Sequence, residues 1–280
     1  MRTVSCYGSD RQSTVSGWAM AAIGHVMQAV SVRVAGILFP PVCPGCRRLT
    51  REPGTLCPAC WMRIRFIERP WCEVLGTPFP HDMGEGAVSP AAIADPPPFS
   101  RARAAVVYAG VARDIVQGLK YRDRTDLAPW MARWMARVGE ELLHEAELVV
   151  PVPLHRGRFL RRRFNQSAEL ARHLARLARL PMAANAVVRT RRTRQQVGLD
   201  ARARAENVRG AFGVPEAARA KVNGRRILVV DDVFTTGATV AAVARALRGA
   251  GAGPVDVLTF ARALPDVEPE GFLPASSMTI

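Results

Sequence analysis

No stretch of this sequence is apolar for long enough to cross a bilayer. The best candidate, residues 18–39, is interrupted by His25, Gln28 and Arg33, whereas a membrane helix needs about 20 predominantly apolar residues. It reads instead as an amphipathic helix over residues 16–40, packed on the body of the protein and closed by Pro40 and Pro41. No secretory leader stands ahead of the cysteines, so a secreted disulfide scaffold is not expected. No Gly-x-x-x-x-Gly-Lys-Ser/Thr loop occurs, which removes the P-loop nucleotidases. No internal repeat and no long low-complexity tract is visible. The residues before Ser16 read as a ragged or misassigned start, and the expected setting is the cytoplasm, without a membrane span.

What remains fits one full domain plus a small accessory module, since 280 residues at 49% hydrophobic content can bury a sizeable core. The charge is the unusual quantity. Lys and Arg number 39 against 24 Asp and Glu, a formal +15. Between His155 and Gly210 fifteen arginines and no lysine face only Glu169, Asp200 and Glu206, so twelve of the fifteen net charges fall there. Such a concentration points to a polyanion, either nucleic acid or a multiply phosphorylated ligand. Arg172, Arg176 and Arg179 follow Asn165 at a helical spacing and read as a solvated face. Arg156, Arg158, Arg161, Arg162 and Arg163 precede that helix and read as a loop within reach of a polyanion.

Four of the six cysteines form two pairs, Cys43-Pro-Gly-Cys46 and Cys57-Pro-Ala-Cys60, with ten residues between them. Each pair bends two thiolates toward one ion, and together they make a tetrahedral zinc site of the ribbon kind. Four thiolates leave no open coordination position, so the metal is structural.

Along the chain, residues 1–41 read as a tail and the amphipathic helix, 42–82 as the zinc-ribbon module, and 83–100, with Pro90, Pro96, Pro97 and Pro98, as a linker. Residues 101–264 alternate strand and helix, and 265–280 form a C-terminal tail. Strands are expected at 103–108, 148–152, 227–230 and 255–260, and helices at 111–121, 127–145, 165–180 and 239–250. Continuous apolar strands between helices imply an α/β domain with a mainly parallel sheet covered on both sides.

The most informative run is Ile227-Leu-Val-Val-Asp-Asp-Val-Phe-Thr-Thr-Gly-Ala-Thr239. A buried strand delivers Asp231 and Asp232 to its carboxyl edge, where ligands bind in open α/β sheets. The chain then turns through Thr235, Thr236, Gly237, Ala238 and Thr239 into a helix. That turn offers backbone N–H groups, three hydroxyls and the positive end of a helix dipole to a phosphate, and Gly237 permits close approach. Ionised aspartates only accept hydrogen bonds, so the matching ligand presents hydroxyls. A ribose diol joined to a 5′-phosphate has both features. A response-regulator receiver also begins with such an acid pair, but needs more than the 48 residues that follow Asp232.

This run resembles the phosphoribosyl-pyrophosphate signature of type I phosphoribosyltransferases. Val149-Val-Pro-Val-Pro-Leu-His155, Arg163-Phe-Asn-Gln166, Thr193-Arg-Gln-Gln-Val-Gly-Leu199 and Asn207-Val-Arg-Gly-Ala-Phe212 narrow the resemblance to the ComF/GntX family, and with the cysteine region it covers residues 35–262. The resemblance implies a pyrophosphate loop over residues 151–166, with Pro153, Leu154, His155, Arg163, Asn165 and Gln166 as its candidate residues. Guanidinium forks suit that task because they pair bidentately with phosphate oxygens. It implies a flexible loop over residues 191–209, carrying Arg194, Gln195, Gln196, Arg204 and Asn207. Lys120 and Tyr121 match a Lys-Tyr pair of the family to which the sequence assigns no role.

The chemistry so implied is displacement of pyrophosphate from ribose C1, with Mg²⁺ and the arginines on the leaving group. The acceptor is not legible. Phosphoribosyl pyrophosphate is the expected ligand, and a link to DNA uptake and competence proteins comes with the family; non-specific nucleic-acid contact is a further reading of the Arg-rich stretch, and a homodimer is left open. Non-catalytic sensing of the ligand stands as the second reading. Similar proteins often carry a third Cys-x-x-Cys, but here Cys72 is followed by Leu75, so a buried thiol is expected rather than a second complete zinc site.

Overall fold

The structure, a computed structural model, describes residues 40–52, 54–121, 124–154, 164–190 and 210–264. The amphipathic helix expected over residues 16–40 and the C-terminal tail lie outside that range, Pro40 and Leu264 being the described ends.

Four parallel strands form the central sheet in the order β1, β6, β5, β2. They are β1 (Ala102–Val107), β2 (Leu148–Pro151), β5 (Ile227–Phe234) and β6 (Val255–Arg262). β5 pairs with β2 through Leu148 to Ile227 and with β6 through Ile227 to Val255, so Asp231 stands opposite Thr259. Alternation along β5 sends Leu228 and Val230 to one core and Ile227 and Val229 to the other. Both faces are covered, which is why residues 148–150 and 227–230 read as unbroken apolar runs.

The first core is roofed by α3 (Gly110–Tyr121), α4 (Ala128–Val138), α5 (Glu140–Glu145) and α6 (Gln166–Ala178), the second by α8 (Ala238–Gly249). One helix over residues 127–145 was expected. The chain instead breaks at Gly139, between α4 and α5. A Cβ at Gly139 would lie 2.7 Å from both Leu258 methyls, so the residue that lets the helix approach the sheet also ends it. A second difference is the two-stranded antiparallel ladder β3 (Val188–Arg189) with β4 (Phe212–Gly213), whose residues flank positions 191–209. Strands of two residues carry no periodicity to read. The remaining helices are α1 (Pro58–Trp61), α2 (Pro90–Ala94) and α7 (Glu216–Val222). Among the described residues no helix is long and apolar enough to cross a membrane.

Ahead of the sheet the chain makes the same turn twice. In the first, Cys43 N–H donates to Arg48 O at 2.7 Å, Arg47 N–H to Cys43 O at 2.9 Å and Thr50 N–H to Pro41 O at 2.9 Å. In the second, Cys72 N–H donates to Thr77 O at 2.8 Å, Gly76 N–H to Cys72 O at 2.7 Å and Phe79 N–H to Pro70 O at 2.9 Å. Bridges Val42 to Leu49 and Trp71 to Pro78 occupy equivalent positions, and so do the left-handed residues Arg47 and Gly76. A proline-led helix completes each unit: α1 follows Cys57, and α2 follows Ser89. Here the structure corrects the sequence reading, which found no internal repeat. The units share only scattered residues, while the hydrogen-bond pattern is the same.

Both units lean on the α/β domain. Ile67 N–H donates to Ala105 O and Val107 N–H to Arg65 O, at 3.0 and 2.8 Å, which ties the connecting chain beside β1. Trp61 and Phe66 meet Trp134 of α4 at ring-centre distances of 5.5 and 4.7 Å. Residues 83–100 carry α2 and end near Phe99, which is buried edge-on against Phe234 at 6.1 Å.

Candidate functional site

Asp231 and Asp232 lie within β5, which runs past the expected end at Val230 to Phe234. Three elements converge on them. From α6, Ser167 Oγ donates to Asp231 Oδ1 at 2.7 Å, and the same oxygen accepts the Asp232 N–H at 2.9 Å. From α3, Lys120 Nζ stands 2.9 Å from Asp232 Oδ1. Asp232 is 6% exposed, so this pair is shielded from water.

Loss of water raises the Asp231 carboxyl to about 7, and the neighbouring charge of Asp232 adds to it, against the Ser167 hydroxyl and Lys120. Burial alone would depress Lys120; Asp232 outweighs it, and the ammonium is held above its usual value. The two carboxyls are therefore unequal. Asp232 is matched by a cation, while burial and the Asp232 charge hold Asp231 above the usual carboxylate range.

Asn165 sets the position of Ser167. Its Oδ1 caps α6 by accepting the Ser167 N–H at 3.1 Å, while its Nδ2 donates to Val152 O at 3.1 Å, just past β2. Gln166 is buried beside it, and Pro153 and Leu154 are half-buried. Of the expected pyrophosphate-loop residues, His155 and Arg163 lie outside the described residues, as do Arg156, Arg158, Arg161 and Arg162. The expected flexible-loop residues Arg194, Gln195, Gln196, Arg204 and Asn207 lie outside them too.

After β5, Thr235 and Thr236 are exposed and Gly237 is the N-cap of α8 with φ +77°. The Ala238 N–H donates to Thr236 Oγ1 at 3.4 Å. A Cβ at Gly237 would stand 2.6 Å from Phe234 Cζ. Glycine is thus required from below, by the Phe234 ring, as well as by its left-handed backbone.

Ser167 was missed in the sequence, and Lys120 was noted without a role. Ser167 falls two residues after a helix cap, where a hydroxyl reads as local capping. Lys120 ends an amphipathic helix, where a lysine reads as a solvated charge complementing the helix dipole.

In the first ribbon the four thiol sulfurs of Cys43, Cys46, Cys57 and Cys60 lie within 4.8 Å of one another. Sulfurs about 3.8 Å apart fit a tetrahedral zinc with Zn–S near 2.3 Å, and Cys46 and Cys57 are 3.5 Å apart. Burial opposes ionisation of Cys43, but the backbone N–H groups of Cys46, Cys57 and Gly45 overcome it and lower the thiol to about 7. Burial and the neighbouring thiols push Cys60 up. The set fits a structural zinc.

In the second ribbon the equivalent positions hold Cys72, Leu75, Ser89 and Ala92. Cys72 Sγ still accepts the Ser89 N–H at 3.2 Å, as Cys43 Sγ accepts that of Cys57 at 3.3 Å. Cys72 is fully buried, as expected, and one thiol with a hydroxyl, a leucine and an alanine does not fit a zinc ion.

Comparison with known proteins agrees with this division. Residues 34–91 match the family model described as a double zinc ribbon domain, and residues 165–273 match the phosphoribosyl transferase domain. A solved structure of the allosteric regulatory enzyme of purine biosynthesis aligns over 51% of this chain and 30% of its own, at 22% identity and a TM-score of 0.35. The parallel sheet, the ribbon module and the two family models define a phosphoribosyltransferase-fold protein with an N-terminal zinc ribbon. DNA utilization protein YhgH of Escherichia coli (strain K12) is 33% identical over 231 residues, 80% of this chain and 91% of that protein. Competence protein F of Haemophilus influenzae (strain ATCC 51907 / DSM 11121 / KW20 / Rd) is 32% identical over 158 residues, 53% of this chain and 67% of that protein. The chain belongs to their family, the ComF/GntX family.

Proposed function

We propose that the chain binds phosphoribosyl pyrophosphate with Mg²⁺ at the carboxyl edge of β5 and transfers the phosphoribosyl group to an acceptor in the handling of incoming DNA. The observation that carries this reading is the acid pair, braced by Ser167 and Lys120, immediately ahead of a glycine-capped helix N-terminus flanked by threonines. Asp231 and Asp232 accept from the ribose diol, residues 235–239 take the 5′-phosphate, and carboxylate oxygens suit a hard cation such as Mg²⁺. In the reaction the bond from ribose C1 to the pyrophosphate oxygen breaks and a bond from C1 to the acceptor nucleophile forms, with pyrophosphate leaving. Residues 155–163 and 191–209, rich in arginine, are proposed to hold the leaving group and to exclude water.

Calorimetric titration of phosphoribosyl pyrophosphate with Mg²⁺ tests the site. Asp232→Asn exchanges a charged acceptor for a weaker neutral one and is expected to cost roughly 1.5–3 kcal/mol of binding. Gly237→Val is expected to cost more, because its side chain collides with Phe234 and the left-handed backbone is lost. Equal binding by all three proteins would place the ligand elsewhere. No binding by wild type at millimolar ligand would reject the reading.

The second reading, a non-catalytic sensor or nucleic-acid-associated protein, is favoured by the fifteen arginines between His155 and Gly210 and by relatives whose names refer to DNA utilization and competence. Pyrophosphate release, screened across nucleobases and amines, separates the two.

A further inference from the structure

The second ribbon has no metal to close it, yet its turn is fastened to the sheet by three consecutive carbonyls. Glu73 O accepts from Arg103 Nη1 at 2.8 Å, Val74 O from the Ala102 N–H at 2.8 Å, and Leu75 O from Arg262 Nη1 at 2.7 Å. The third of these contacts leads to the candidate site. Arg262 ends β6 and is in register with Phe234 at the end of β5. Its guanidinium lies 4.1 Å from the centre of the Phe234 ring, and that ring is the floor beneath Gly237. An unbroken path of contacts therefore runs from the ribbon turn, through Arg262 and Phe234, to the loop that begins α8.

The terms on which Arg262 is kept are unusual. It is 8% exposed, and among the described residues no carboxylate pairs with it and its Nε has no partner. Burial lowers its pKa to about 10, against a compensating influence from Cys72. A leucine or methionine would fill such a place without the cost of desolvating a cation. What the guanidinium adds is directional: one N–H fixed on a ribbon carbonyl while the plane lies on an aromatic face.

We propose that the second ribbon is a metal-free brace for the phosphate loop, and that Arg262 is the positioning residue through which the brace sets the 5′-phosphate end of the ligand site. This rests on the reading of residues 235–239 as a phosphate loop. The loop's N–H groups recognise an anion only when held in a fixed array, and Gly237 rests on the buried ring that Arg262 pins.

The test titrates two probes separately, ribose 5-phosphate and inorganic pyrophosphate, each with Mg²⁺, into the full chain carrying Arg262 or Arg262→Met. Affinity for ribose 5-phosphate is expected to fall on the order of tenfold, while affinity for pyrophosphate and the zinc content stay at wild-type values. Equal loss for both probes marks general destabilisation and overturns the proposal, as does unchanged affinity for ribose 5-phosphate. Should Arg262→Met not fold, Phe234→Leu carries the same test, since it keeps an apolar side chain but removes the face on which Arg262 lies. A wild type that binds neither probe rejects the site itself, an outcome distinct from a brace that is absent.

Discussion

The two ribbons make the same turn and are held in opposite ways. In the first, four thiols converge in a set that fits a zinc ion, which would close it. In the second, one thiol remains, and the turn is closed from outside by Ala102, Arg103 and Arg262. Arg103, whose side chain is fully buried, also pairs with Glu73 and Glu141 at 2.5 and 2.6 Å. A hydrogen-bonded turn of this kind is thus not specific to zinc. It needs a partner that orders its end, and either an ion or a neighbouring sheet supplies one.

The largest expected effect breaks the comparison on its metal side. Cys60→Ser should take zinc from one ion per chain to none, because three thiolates no longer close the site. Amide hydrogen exchange should then accelerate at Gly45, Cys46 and Cys57 and stay slow at Val74, Leu75 and Ser89. Equal acceleration in both ribbons would show that the second depends on the metal as well.

The next prediction tries to convert one ribbon into the other. Leu75→Cys, Ser89→Cys and Ala92→Cys together restore the thiol pattern of the first ribbon around Cys72. Elemental analysis should rise from one zinc per chain to two, and cobalt substitution should show two tetrathiolate sites in place of one. A count that stays at one would mean that the shared hydrogen bonds do not carry a shared metal geometry.

The smallest effect separates the two turns at their left-handed residue. Gly76→Ala meets the Ala102 carbonyl at 2.2 Å in addition to its φ of +65°. It should destabilise by roughly 2–3 kcal/mol, the combined scale of backbone strain and overpacking. Arg47, at φ +63°, already tolerates a side chain at the equivalent place. Arg47→Gly should change stability by only about 0.5 kcal/mol or less, since strain relief and unfolded-state entropy oppose one another. Urea denaturation of both variants gives the difference directly, and equal effects would remove the sheet's part in holding the second turn.

The amino-acid sequence by itself determined whatever depends on neighbours along the chain. The apolar runs at residues 148–152 and 227–230, bounded by turn residues, marked strands covered on both faces. The Cys43, Cys46, Cys57 and Cys60 spacing could close one metal site. Asp231 and Asp232 followed by Gly237 placed an acid pair and a glycine-bearing turn at a strand end. Each is a statement about a few consecutive residues, where backbone geometry and side-chain chemistry suffice.

Tertiary structure decided the rest, because those contacts join residues that no local pattern relates. Ser167 meets Asp231 across 64 positions, and Arg262 meets Leu75 across 187. Gly139 ends a helix because Leu258 of another strand lies beneath it. The second ribbon was legible only in part for the same reason: Cys72 with Leu75 in place of a partner thiol marked an incomplete zinc site, whereas the repeated turn lies in backbone hydrogen bonds and in the sheet residues that hold them.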